Sequence, residues 1–211
     1  MIAVTLIGLS GEQWAPVNNN LNWADISNST LIYDFIILGE DGSGEIIDNW
    51  WPLNNSQFRI TIQTLPSLPK WIEARTFIED IANIGKVQVS QVNGSDVTYS
   101  IGTRVREVVS FLIFPTGDWE YFESQFGEKV EITYQDGQFP KYYEYIGSST
   151  SDSVYDFTRK WNQQGSGHGA YYSTTYGNID KNTGIPTYIS HYYLFSHVAG
   201  FDYTLILSLA D

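Results

Sequence analysis

Apolar and polar residues alternate along most of this chain, which is the pattern of β-strands that bury one face. Short turn-forming stretches separate the alternating runs, so we expect consecutive strands to pair as antiparallel hairpins. The clearest turn is Asn93-Gly94, because both residues tolerate positive φ. The pattern predicts strands over residues 1–9, 31–38, 45–51, 58–65, 87–92, 97–101, 105–114, 130–134, 139–146, 188–195 and 203–209.

Two segments repeat their apolar residues every three to four positions, which is the period of an amphipathic helix. The first covers residues 68–84, with Ser67 as a candidate N-cap and Gly85 just beyond its end. The second is a short helix over residues 117–126, where Trp119, Phe122 and Phe126 share a face. The sequence therefore predicts a β-dominated α+β fold, in which antiparallel hairpins form sandwich-like sheets with one amphipathic and one short helix.

Composition changes near Gly147, where a run of serine and threonine begins. We expect a β-rich main domain with the helix over residues 1–147. Residues 148–211 form a loop-rich C-terminal part that is expected to pack on the same domain. Within it, residues 153–161 fit either a helix or a strand, and residues 163–169 and 177–184 have the composition of loops.

Charge argues against two classes of partner. The chain has 24 acidic and 11 basic residues, for a net charge of -13, and its first 58 residues contain no lysine or arginine. Nucleic acids and anionic membranes need clustered basic side chains, so neither is expected as a partner. No apolar run approaches the roughly 20 residues that cross a bilayer. We interpret residues 1–9 as a strand and not as a signal peptide, and expect synthesis in the cytoplasm, followed by incorporation into a virus particle.

Motifs for catalysis and for cofactors are missing from the sequence. There is no cysteine, which excludes disulfides and thiolate metal sites, and no G-x-S-x-G elbow, P-loop or dinucleotide fingerprint. We expect His168, His191 and His197 to be surface or interface residues, with no metal site and no cofactor. Glu107 and Glu144 are the first acids to consider for a glycosidase pair, although both fit solvent-facing strand positions.

Adjacent aromatic residues are the most informative feature, because neighbours on a strand point to opposite faces. A single core buries one face, so some of these rings should be exposed or covered by another subunit. We expect contacts within residues 50–55, 147–153 and 163–184. The candidate interface or ligand residues are Trp50, Trp51, Asn54, Asn55, Tyr171, Tyr172 and Tyr176.

Three classes of function fit these features. The first is a non-enzymatic structural or assembly protein, such as a component of a phage tail, baseplate or head, whose partners are other subunits in a homo- or hetero-oligomer. The alternative is a carbohydrate- or receptor-binding β module, which would present its rings in a groove of the monomer. The third is a glycan hydrolase or lyase, which needs acids that converge in a cleft.

Overall fold

A single nine-stranded antiparallel sheet dominates the structure. The computed structural model describes residues 17–18, 20–39, 50–63, 65, 67–68, 71–72, 86–93, 97, 99–126, 130–136, 139–164, 170–195 and 202–210. The strands of this sheet are β2 (Thr30–Gly39), β3 (Ser56–Ile62), β5 (Val87–Gln91), β6 (Val130–Asp136), β7 (Phe139–Ser149), β8 (Val154–Gln164), β9 (Ala170–Asp180), β10 (Pro186–Phe195) and β11 (Asp202–Leu209). The prediction of a β-dominated, antiparallel α+β fold is confirmed.

Strand order in the sheet is β5-β3-β2-β11-β10-β9-β8-β7-β6. From β6 to β11, each strand pairs with the next along the chain, as the predicted hairpins require. The ambiguous residues 153–161 fall largely in β8, and residues 177–180, predicted to be part of a loop, belong to β9. The pairing of β11 with β2 then joins this meander to β2, β3 and β5.

Two helices lie in the described part of the chain, α1 (Tyr99–Phe111) and α2 (Trp119–Phe126). The short helix predicted over residues 117–126 is confirmed by α2. The strands predicted over residues 97–101 and 105–114 are wrong, because α1 occupies most of this segment. Its β-branched residues resemble a strand locally, but the buried positions follow a helical period. The buried residues at helical spacing are Ile101, Val105, Val108 and Val109, and residues 110–114 are then buried without a break.

Most of the helix predicted over residues 68–84 lies outside the described residues. Within that range, Trp71–Ile72 forms the short strand β4, which pairs with β1 (Val17–Asn18) in a separate two-stranded sheet. The predicted strand over residues 1–9 also lies outside them, as do residues 45–49. At the end of the strand predicted over residues 45–51, the prediction is wrong, because Trp51 belongs to a 3₁₀ turn over Trp51–Leu53.

The core lies between one face of the sheet and the two helices. Phe111 at the end of α1 and Phe126 at the end of α2 both pack on Phe157 of β8, with ring centroids 5.8 Å and 5.3 Å away. Gly177 of β9 allows a close approach, because a side-chain carbon there would meet Leu112 at 2.8 Å. None of the described helices is long and apolar enough to cross a membrane.

A fully buried lysine holds the C-terminal end of α1 in place. Lys86 Nζ donates hydrogen bonds to the carbonyl oxygens of Ser110 and Ile113, at 3.2 and 3.3 Å. The same ammonium group lies 5.3 Å from the ring centre of Trp23. A lysine at this end of a helix satisfies carbonyls that lack a partner in the helix. Burial lowers the pKa of Lys86 to about 7.

Candidate functional site

The strands give the sheet two faces with different surroundings. On β9, the odd-numbered residues from Ser173 to Ile179 are buried under the helices, while the even-numbered residues from Tyr172 to Asn178 are half-buried on the other side. We call the face that points away from α1 and α2 the open face. Both faces carry features that suit binding.

Ten residues in two adjacent cross-strand rows at the centre of the open face carry no charge. One row is Ile36, Ile206, Ser190, Tyr176, Thr158 and Ile146, and the other is Leu38, Thr204, Tyr192 and Thr174. We call these ten residues the open-face patch. None of them is buried, and Ile36 and Leu38 are 36% and 51% exposed.

Charged residues surround the open-face patch. The second row continues beyond Thr174 into Lys160 and Glu144, whose side chains form an ion pair at 2.6 Å. The flanking rows begin at Asp34 and at Asp202. An apolar centre with a polar rim is the usual composition of a protein–protein interface.

Side-chain hydrogen bonds fix part of the patch. Asn178 Nδ2 donates to Asp156 Oδ1 and to the hydroxyl oxygen of Tyr176, both at 2.6 Å. The Tyr176 ring also meets Tyr188 edge to face, with centroids 6.3 Å apart. Burial, and then the charge of Asp156, raises the pKa of Tyr176. This ring is therefore held in one orientation before any partner arrives.

The helix-covered face contains a cavity of about 660 Å³ between α1 and strands β7–β10. Its volume lies in the range of about 300–1,000 Å³ that is typical of small-molecule sites. Arg104 and Glu107 of α1 form part of the wall, and they make an ion pair at 3.4 Å. Aromatic side chains supply much of the remaining surface, namely Phe111, Tyr143, Trp161, Tyr171 and Tyr193.

Two guanidinium groups give the cavity its positive charge. Arg159 of β8 lies 4.8 Å from the ring centre of Phe111 and 5.1 Å from that of Tyr143. Arg104 lies 5.5 Å from the ring centre of Tyr193. These cation–π contacts hold both groups against the aromatic wall. The cavity is lined by two arginines and one acid, Glu107, although the chain as a whole has a net charge of -13.

Three buried polar atoms of cavity residues have no hydrogen-bond partner among the described residues: Arg159 Nε, Trp161 Nε1 and His191 Nε2. His191 is only 4% exposed, and its Nδ1 lies 2.8 Å from Thr175 Oγ1. Burial lowers the pKa of His191 to about 3, and the charges of Arg104 and Arg159 act in the same direction. The imidazole is therefore neutral at physiological pH.

Of the candidate residues near position 50, the first is in the core. Trp50 is 3% exposed, donates from Nε1 to Ser100 Oγ at 3.0 Å and meets Tyr203 edge to face. Trp51 is 49% exposed. Asn54 Oδ1 accepts a hydrogen bond from the Ile37 amide at 2.9 Å, and the exposed Asn55 adopts a φ of 61°. Trp50 and Asn54 thus have structural roles, while Trp51 and Asn55 face solvent.

The three candidate tyrosines divide between the two faces of the sheet. Tyr171 lines the cavity and stacks on Trp161 with ring centroids 6.2 Å apart. Tyr172 and Tyr176 lie on the open face, where Tyr172 meets Tyr192 edge to face. Tyr171 and Tyr172 therefore point to opposite faces of the sheet, as the sequence predicts, one towards the cavity and the other on the open face.

Sequence reasoning missed the polar residues of the cavity. Arg159 and Trp161 are two positions apart in β8, so an alternating pattern in residues 153–161 would have placed them on one face. Arg104 was not identified as a cavity residue, because the segment that forms α1 was predicted to be mostly strand. His191 is buried, which corrects the expectation of a surface or interface histidine. His168 and His197 lie outside the described residues.

The two acids considered for glycosidase chemistry do not converge. Glu107 lines the cavity, whereas Glu144 lies on the open face beside Lys160. The sheet separates them, so they cannot flank one glycosidic bond. Among the described residues, no group of three or more histidine or acidic side chains is placed to hold a metal ion.

The chain was compared with known proteins at three levels. No protein-family model matches it, and neither does any curated protein or solved structure.

Proposed function

We propose that this protein is a non-enzymatic assembly protein in which the open-face patch binds the same patch on a second copy. The observation that carries the proposal is the exposure of Ile36 and Leu38 within a patch of ten uncharged residues. Apolar side chains on a sheet face gain free energy when a partner removes them from water.

The size of the patch supports this role. Strands lie about 4.8 Å apart and alternate residues about 6.8 Å apart, so the patch covers on the order of 400 Å². Including the flanking rows doubles this to on the order of 800 Å² per copy, which is the contribution of each partner to a standard interface.

The distribution of charge is also compatible with self-association. Two copies with a net charge of -13 repel each other at long range. The ten patch residues carry no charge, whereas the flanking rows that complete the interface carry Asp34, Asp156 and Asp202. Added salt should therefore strengthen association by screening the long-range repulsion.

Incorporation into a virus particle, in a tail, baseplate or head, remains a prediction. A contact between identical patches gives a dimer with two-fold symmetry, which is the commonest oligomer. Such a dimer is a natural building unit for larger assemblies.

Light scattering tests the proposal by measuring the absolute mass from about 1 µM to about 500 µM, the range in which weak interfaces dissociate. The expected result is a rise from the 23.9 kDa monomer to twice that mass. Ile36→Asp should remain a monomer, because a buried carboxylate is costly. Val92→Asp is the matched control, since Val92 is 37% exposed but lies outside the patch.

Two results would overturn the proposal. The first is a wild-type protein that stays monomeric over the whole range at high salt. The second is an Ile36→Asp protein that dimerises as tightly as the Val92→Asp control.

A further inference from the structure

We propose that the cavity between α1 and strands β7–β10 binds a small ring compound that carries a carboxylate, either a sugar acid or an aromatic carboxylate. This is a second binding site, on the opposite side of the sheet from the open-face patch. The inference uses the charge of the cavity, its unsatisfied polar atoms and its aromatic wall.

The charge of the cavity favours an anion. Arg104 and Arg159 line the same cavity as His191, so two guanidinium groups border this space. Arg159, Thr175 and His191 occupy one cross-strand row, so their positions are fixed by the sheet register. Guanidinium groups bind carboxylates through charge-assisted, often bidentate hydrogen bonds.

The unpartnered atoms favour a ligand rich in acceptors. Arg159 Nε and Trp161 Nε1 can only donate hydrogen bonds, and both are buried without a partner in the described structure. His191 Nε2 becomes a third donor when the Thr175 hydroxyl donates to Nδ1. Buried donors without acceptors are rare in folded proteins, and a carboxylate supplies the acceptors that these lack.

The aromatic wall favours a ring. Trp161 and Tyr171 stack with an interplanar angle of 30°. One cross-strand row contains, in order, Tyr143, Trp161, Ser173 and Tyr193. Aromatic side chains bind flat apolar surfaces, which both sugar rings and benzene rings provide. A carboxylate bound at the arginines would leave its ring against this wall.

Isothermal titration calorimetry tests the proposal with D-glucuronate, benzoate and D-glucose as probes. At least one of the two acids should bind with one site per chain. The acid that binds more tightly shows whether the site prefers a sugar ring or an aromatic ring. Neutral glucose should bind about tenfold more weakly or not at all, because it lacks the charged acceptor.

Variants on one helix give a matched comparison. Arg104→Gln should weaken binding by about tenfold, the usual effect of losing one charged hydrogen bond. Arg106→Gln removes the same charge from α1 at an exposed position outside this cavity, and should leave binding unchanged. Trp161→Phe keeps an aromatic ring but removes the Nε1 donor, so it should weaken binding without loss of the melting transition.

The titration also separates this site from the dimer interface. Ile36→Asp should bind the acid as well as the wild-type protein, because Ile36 lies on the open face. The proposal is overturned if neither acid binds, if glucose binds as tightly as the acids, or if Arg106→Gln weakens binding as much as Arg104→Gln.

Discussion

Lowering the pH from 7 to 5 should destabilise the protein through His191. The folded chain keeps this imidazole neutral, with a pKa of about 3, because it is buried and faces Arg104 and Arg159. In the unfolded chain the histidine recovers its ordinary pKa of about 6.5. Because the folded pKa is the lower one, the stability that His191 contributes is fully present above pH 6.5. This contribution is lost progressively as the pH falls towards 3.

The size of the effect follows from the two pKa values. Between pH 7 and pH 5, proton uptake by the unfolded chain lowers the free energy of unfolding by about 2 kcal/mol. By pH 3 the loss reaches about 4 kcal/mol, which approaches the whole stability of a small domain. Glu107 lines the same cavity and is ion-paired to Arg104. A His191→Gln variant keeps this ion pair, so a comparison of the two proteins isolates the contribution of His191.

Urea denaturation of wild type and His191→Gln at pH 7 and pH 5 measures this contribution. The wild-type protein should lose about 2 kcal/mol more than the variant, since the titration of carboxylates and of the other histidines is common to both. Between pH 8 and pH 7 the two proteins should change alike, which serves as the control. Equal losses at pH 5, within about 0.5 kcal/mol, would refute a neutral buried His191.

Two further predictions concern buried side chains outside the cavity. Trp50→Ala should lower the free energy of unfolding by about 3–5 kcal/mol, because Trp50 is in the core, and Trp51→Ala should lower it by less than about 1 kcal/mol. Urea denaturation measures both losses, and similar values would contradict the placement of Trp50 alone in the core. Because the folded pKa of Lys86, about 7, lies below its ordinary value of 10.5, stability should rise by about 2 kcal/mol from pH 7 to pH 9 as the folded chain loses this proton. Lys86→Met should abolish the rise, and a variant that keeps it would show that other groups cause it.

Strands such as β2 and β3 were predictable because their signal is local, whereas β9 was not among the predicted strands. A strand with one buried face repeats its buried positions every two residues, and β2 and β3 follow this rule. The segment of α1 misled the same reasoning. Its valines favour extended structure locally, while its burial follows a helical stripe that only the packing against the sheet makes decisive.

The cavity was not predictable, because it depends on register between distant strands. Arg159 and His191 are far apart in sequence and meet only because β8, β9 and β10 pair in one particular alignment. The same alignment decides that Tyr171 faces the helices while Tyr172 faces away. A single sequence showed that the two rings would separate, but not what either of them would meet.

The position of β11 has a consequence for how the chain folds. Although β11 is the last described strand in the sequence, it lies inside the sheet, between β2 and β10. Ile36 must therefore find Ile206, about 170 positions later, and such a high contact order makes folding slow. On the ribosome, β2 emerges early and waits with one edge unpaired until residues 202–209 have been synthesised. During that interval the unpaired edge of β2 can pair with other chains, so the nascent chain is most prone to aggregation before residues 202–209 arrive.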